Sequence, residues 1–182
     1  MGDLKTAIQR AQDGNREAYG EIYKLYYKKI FRYCSFNTRD NSAAQDICQE
    51  TFVKAWKKIK DFNMERADWS FQAFLFAIAR NLIIDRTREK KEYSLEAYED
   101  IETNEDYYEA LDKKNDAQKL KKALSKLDEV ERQIIMLRYF EEMGSKEVAN
   151  ILEIKEGALR VRQSRILQKL KNIMEVLYGS KN

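Results

Sequence analysis

The stretch EGALRVRQSRILQKL, residues 156–170, sets Arg160, Arg162 and Arg165 within six positions of an otherwise amphipathic run. A guanidinium presents a rigid fork of N–H donors, suited to the O6 and N7 of guanine or to phosphate oxygens. On a wheel of about 100° per residue, Leu159, Ile166, Leu167, Leu170, Ile173, Met174 and Leu177 share one arc. Arg160, Val161, Ser164 and Arg165 fall opposite, near the helix start. There an arginine can read guanine and an aliphatic group can touch a thymine methyl. Arg162 and Lys169 lie toward the flank, where phosphate contact is natural. Lys155 and the open N–H groups at the helix start suit phosphate as well. Taken alone, the face equally suits simple solvation.

The residues before it favour DNA. Ser145–Leu152 reads as a short helix with Val148, Ala149 and Leu152 inward, and Glu153-Ile154 as a brief turn. Short helix, turn and long helix make a helix-turn-helix, whose second helix lies in the major groove. Gly157 allows close backbone approach.

Two upstream segments carry further candidates. In AAQDICQETFVKAWKKI, residues 43–59, Ala44, Ile47, Cys48, Thr51, Ala55 and Ile59 form an inward stripe. Asp46, Gln49, Glu50, Val53 and Lys57 recur at helical spacing on a separate stripe, which by itself suits water better than a partner. In SFQAFLFAIARNLIIDRTREKK, Phe71, Phe74, Leu75, Ile78, Ala79 and Leu82 point inward, and Ala73, Ala77, Arg80, Asn81, Ile84 and Arg88 outward. Asn and Arg bind bases or phosphates. Phe62 and Trp69 fall on the preceding loop; they either close a small core or stack on single-stranded bases.

These stripes require helices, and the composition supplies them. There is no proline, and residues 21–143 hold no glycine either, which excludes turn-rich strand folds and predicts an all-α chain. Helices are expected near Asp3–Gln12, Glu17–Phe36, Ser42–Lys60 and Ser70–Lys90, then Asn115–Leu127, Asp128–Glu141, Ser145–Leu152 and Lys155–Tyr178. Ser42 with Gln45 and Asp128 with Glu131 are capping-box pairs, and Ser70 and Ser145 are expected caps. Between the two groups, Glu92 to Asp112 carries nine acidic residues and no Lys or Arg, an acidic linker with little periodicity. The prediction is two small helical domains joined by that linker, the second containing the helix-turn-helix.

Other classes recede. The chain has no histidine and no recognisable nucleophile–base or metal constellation, so neither an enzyme nor a cofactor is expected. Cys34 and Cys48 fall at apolar helix positions and read as buried thiols. With no signal peptide and no spanning apolar run, a cytoplasmic protein without membrane insertion is expected.

DICQETFVKAW, then FLFAIARNLIIDRTR, an acidic connector, and GSKEVANILEIKEGALRVRQSR, in that order, resemble an extracytoplasmic-function sigma factor of bacterial RNA polymerase. The resemblance covers nearly the whole chain. It implies a region 2 domain at 1–91, a linker at 92–114 and a region 4 domain at 115–182. It places Asp46, Gln49, Glu50 and Val53 on the clamp coiled coil of the polymerase largest subunit. Phe62, Ile78, Arg80, Asn81 and Arg88 would serve −10 opening, and Arg160, Val161, Ser164 and Arg165 would read the −35 duplex. The implied partners are core polymerase and promoter DNA, as duplex and as melted strand, with an anti-sigma factor as a further candidate. The chain departs from the family pattern at Phe74, often Trp; at Glu153, commonly Gly; and at Gln163, commonly aliphatic. Two other readings stay open: a helix-turn-helix regulator with no polymerase role, which would tolerate charge reversal at Asp46 and Glu50, and a helical scaffold, which would bind no DNA.

Overall fold

A computed structural model describes residues 3–38, 40–66, 69–93, 120 and 122–178, and every described element is helical. The chain divides into two compact units, Met1–Asn104 and Glu105–Asn182. The expected acidic linker from residue 94 onward, and the expected helix from Asn115 as far as residue 119, lie outside the described residues.

The first unit contains α1 (Leu4–Gln12), α2 (Arg16–Thr38), α3 (Asn41–Lys58), a 3₁₀ turn (Ile59–Asp61) and α4 (Phe71–Tyr93). Each break has a local cause. Gly14, at φ +90°, supplies the left-handed residue that ends α1, and the Asn15 side chain accepts from the Ala18 N–H to start α2. At the far end of α2, Asn37 Nδ2 and Thr38 Oγ1 donate to the carbonyls of Tyr33 and Cys34, 2.7 and 2.9 Å away. The cap of α3 is Asp40 rather than the expected Ser42: its carboxylate accepts from the Ser42 and Ala43 N–H groups. A carboxylate also meets the positive end of the helix dipole, which a serine hydroxyl does less well. Ser70 does cap α4, its Oγ accepting from the Ala73 N–H at 3.1 Å.

Helices α2, α3 and α4 enclose the core of this unit, in which Ile22, Ile30, Tyr33, Ile47, Ile59, Leu75, Phe76 and Ile83 are almost wholly buried. The inward stripe predicted for α3 is buried throughout, and Asp46, Gln49, Glu50, Val53 and Lys57 are exposed. The reading of α4 needs correction. Ala73, expected outward, is buried, as are Phe76 and Ile83, while Phe74 and Ile78 are only half-buried. An arc drawn for one neighbour is too narrow here, because α4 packs against both α2 and α3. The T-shaped contact of Phe76 with Tyr33, centroids 5.1 Å apart, lies on this second side.

Cys34 and Cys48 are both buried and reduced. Burial pushes the Cys48 thiol up to about 12, and burial together with the neighbouring Cys48 pushes Cys34 upward as well. Because only a thiolate attacks a disulfide reagent, the folded protein at pH 8 is expected to leave both thiols unmodified until denaturant is added. The linkage runs the same way. Both folded values lie above the unfolded value of about 8.5, so their contribution is intact below that pH. It is lost as pH rises toward the folded values, and the urea midpoint should fall between about pH 9 and 11. A midpoint flat across that range would place the thiols at the surface.

The second unit contains a helical turn at 122–124, α5 (Glu129–Ile135) continuing into a π turn (Met136–Phe140), α6 (Ser145–Leu152) and α7 (Glu156–Tyr178). The box predicted at Asp128 is complete: its Oδ1 accepts from Glu131 N at 2.8 Å, and Glu131 Oε2 accepts from Asp128 N at 3.0 Å. Helix α6 is capped by Gly144, not Ser145; the Glu147 carboxylate reaches back to the Gly144 N–H at 3.2 Å. Leu124, Ile134, Met136, Leu137, Val148 and Leu159 form the core. The apolar arc predicted for α7 is buried only at Leu159 and Ile166. Leu167 is exposed and Leu170, Ile173, Met174 and Leu177 are half-buried, because α5 and α6 are short and cover only the first half of a 23-residue helix.

Candidate nucleic-acid interface

The start of α7 is set by the turn before it. Glu153 adopts the left-handed conformation, φ 57° and ψ 39°. This lets Ile154 N bond to Ala149 O at 3.0 Å and Glu153 N to Asn150 O at 3.2 Å, a Schellman closure of α6. A side chain at this φ costs roughly 1–2 kcal/mol, so Glu153→Gly is expected to raise stability by about 1 kcal/mol with α7 unmoved. Chemical denaturation measures it; a loss of stability would mean the Glu153 side chain makes a compensating contact.

Beyond that turn, Lys155, Arg160, Val161, Arg162, Ser164 and Arg165 are all exposed, as the wheel predicted. Arg160 carries a surface pair with Glu156, Nη2 to Oε1 2.7 Å, one helical turn apart. Such a pair contributes little against water and yields readily to phosphate or a base. Arg162 and Arg165 make no ion pair among the described residues, leaving their forks open. Lys169 differs. Its ammonium lies 2.6 Å from Glu131 Oε2, the same oxygen that closes the cap of α5. Its ammonium has three donors, so it can keep that carboxylate and still face a phosphate.

Gln163 points toward the interior side of the unit. Its Nε2 donates to the Tyr139 hydroxyl at 2.7 Å, and its Oε1 accepts from Arg138 Nε at 3.4 Å. Arg138 in turn donates through Nη1 to the Met143 carbonyl. The polar break in the apolar arc is thus a built contact. Neither partner was identifiable in the sequence, since both lie 24 or 25 positions away.

In the first unit, the outward candidates of α4 divide. Asn81 and Arg88 are exposed; Ile78 and Arg80 are half-buried. Phe62, expected at a base-stacking position, is only 7% exposed. Its ring meets Phe71 edge-on at 5.1 Å and Phe74 at 5.2 Å. Gln12 Nε2 donates to the Phe62 carbonyl at 2.7 Å and holds that backbone in place. No face of Phe62 is left for a base, so it belongs to the core. Trp69 is the loop aromatic that stays half-exposed, with the Arg66 guanidinium 5.7 Å from its ring centroid.

On α3, Gln49 and Val53 project into solvent, and Glu50 pairs with Lys54 at 3.1 Å. Asp46 is held by Arg86 of α4, Nη2 to Oδ2 3.3 Å, while Arg86 Nη1 reaches the Ala43 carbonyl at 3.4 Å. Sequence reasoning missed Arg86, because its partner lies 40 positions away on another helix. Among the described residues, no group of three or more Cys, Asp or Glu side chains is placed to hold a metal ion. No described helix is long and apolar enough to cross a membrane.

Two helical units carry these surfaces, and the second presents its arginine face behind a helix-turn-helix. The sigma-70 region 2 family matches residues 22–93, and the sigma-70 region 4 family matches residues 123–172. Among curated proteins, the chain is 31% identical to the ECF RNA polymerase sigma factor SigW of Bacillus subtilis, over 87% of this chain and 90% of SigW. To SigM of the same organism it is 29% identical, over 83% and 91%. Among solved structures, it resembles CnrH in complex with the cytosolic domain of CnrY, with TM-score 0.70 and 23% identity over 96% and 99%. It also resembles the sigma factor RpoE in complex with the anti-sigma factor NepR from Bartonella quintana, with TM-score 0.66 and 24% identity over 87% and 97%. The chain belongs to the sigma-70 family and, within it, to the extracytoplasmic-function sigma factors. Sigma factors are non-enzymatic initiation factors that partner core RNA polymerase and promoter DNA.

Proposed function

We infer that this sigma factor docks on the clamp coiled coil of the polymerase largest subunit through Asp46, Gln49, Glu50 and Val53. On this reading α7 enters the major groove of the −35 element. Arg160, Val161, Ser164 and Arg165 meet base edges, and Lys155, Arg162 and Lys169 meet phosphates. The single observation that carries the reading is the exposed arginine face at the start of α7, directly behind a tight left-handed turn.

In the first unit, Ile78, Arg80, Asn81 and Arg88 hold the −10 strand, with Trp69 taking the stacking place first expected of Phe62. Unstacking a base costs a few kcal/mol, which stacking and hydrogen bonding must offset. The domain limits 1–91, 92–114 and 115–182 fit this division of labour, with the acidic linker lying in the polymerase nucleic-acid channel. A cytoplasmic location follows from the polymerase being the partner, and an anti-sigma factor is a further partner that the reading admits. No cofactor is required, since the phosphodiester chemistry belongs to the polymerase.

The test is in-vitro transcription with core polymerase over genomic fragments, with start sites mapped to give the promoter. On that promoter, Arg165→Ala is expected to cost about 1–3 kcal/mol at one base position. Equal loss on every base variant would move Arg165 to the phosphates. No initiation on any fragment would overturn the function.

A further inference from the structure

We propose that two polar clasps, Gln163 on Arg138 and Tyr139, and Lys169 on Glu131, set the rotation of α7 about its own axis and so decide which side chains it presents to DNA. The inference rests on the reading of α7 as the upstream DNA reader.

The apolar seam alone specifies that rotation poorly. Only Leu159 and Ile166 are buried along α7, and seven positions apart they lie about 20° from each other on the helix. Burial of so narrow a seam changes little when the helix turns slightly, since half-buried neighbours replace what is lost. The readout is far more sensitive. On a helix of about 6 Å radius, a turn of about 20° moves a side chain by about 2 Å, enough to make or break a hydrogen bond.

The two clasps straddle the seam. Gln163 lies about 50° to one side of it and Lys169 about 70° to the other. Gln163 is fixed at both ends of its amide, by Tyr139 at 2.7 Å and Arg138 at 3.4 Å. Arg138 also holds the Met143 carbonyl, at the loop leading into α6. Lys169 is fixed by Glu131, whose carboxylate is itself immobilised in the α5 cap. Hydrogen bonds are directional where apolar contact is not, so opposed clasps resist turning in either sense.

The experiment uses holoenzyme assembled from the full chain and core polymerase. Its probes are duplexes of the mapped promoter and its single-base variants in the upstream element. Gln163→Leu and Tyr139→Phe are each expected to reduce discrimination between promoter and upstream variants by about tenfold. The double variant should be no worse than either single one. Gln163→Glu accepts from both Arg138 and the Tyr139 hydroxyl, so it should keep discrimination while lowering affinity evenly across variants. Glu131→Gln retains the capping box and a neutral acceptor for Lys169 but removes the charge of the ion pair, and should weaken discrimination with the Lys169 charge still in place. Thermal midpoints should move little, because both clasps are only part-buried.

Full discrimination in Gln163→Leu, additive losses in the double variant, or losses that simply track the thermal midpoint would each overturn the proposal. A wild type that discriminates beside variants that match it would sink the clasps alone. A wild type with no upstream discrimination would sink the DNA reading with them.

Discussion

Gln49→Lys combined with Glu50→Lys is expected to weaken binding to core RNA polymerase by about 100-fold, or about 3 kcal/mol. Both side chains project into solvent from α3, so their replacement leaves the core of the first unit untouched. Lysines at these positions turn an acidic stripe basic, and on a docking surface charge complementarity lost in this way costs several kcal/mol. Glu50 pairs with Lys54 one turn away; reversing it forfeits a few tenths of a kcal/mol of helix stability, which the binding effect far exceeds. Asp46 is the poorer choice for this test, because a substitution there also breaks its ion pair with Arg86 of α4. Binding of labelled full-length chain to core enzyme measures the effect. Unchanged binding would remove α3 from the docking surface, and unchanged promoter binding without polymerase would favour a regulator acting alone.

The second large effect separates packing from recognition in the first unit. Phe62→Ala should cost about 3–5 kcal/mol, the range for truncating a buried aromatic. Its ring is enclosed by Phe71 and Phe74. The thermal midpoint of the unit should fall sharply, and any loss of −10 opening should follow the unfolding. Trp69→Ala is the contrasting variant. Trp69 is half-exposed, so its loss should scarcely move the midpoint, while binding of the melted strand should weaken by about 1–3 kcal/mol. Fluorescence-monitored melting and single-strand binding distinguish the two. A stable Phe62→Ala chain that has lost strand binding would return Phe62 to the interface.

Helix α3 shows how much of such a site can be read from pattern. Its buried and exposed stripes are those the wheel separates, because the helix is long, regular and buried along one side. The exposed arginine face at the start of α7 was legible for the same reason. The pattern failed at α4, where burial against two helices widens the inward arc to take in Ala73, Phe76 and Ile83. It failed in the opposite sense along the second half of α7, where an apolar arc finds no neighbour long enough to cover it. Caps shifted by one or two residues wherever a carboxylate or a glycine stood beside the expected serine.

The sequence by itself determined the helical class, the ordered motifs that place the chain among the sigma factors, and which faces of α3 and the early α7 meet solvent. These depend on spacing along one helix, a property of neighbours a few residues apart. Tertiary structure alone decided that Phe62 is packed while Trp69 stays open, that Asp46 answers to Arg86, and that Lys169 and Gln163 are held by Glu131, Arg138 and Tyr139. Each of those outcomes depends on atoms brought together from separate elements, and no periodicity within one helix records which groups will arrive from another.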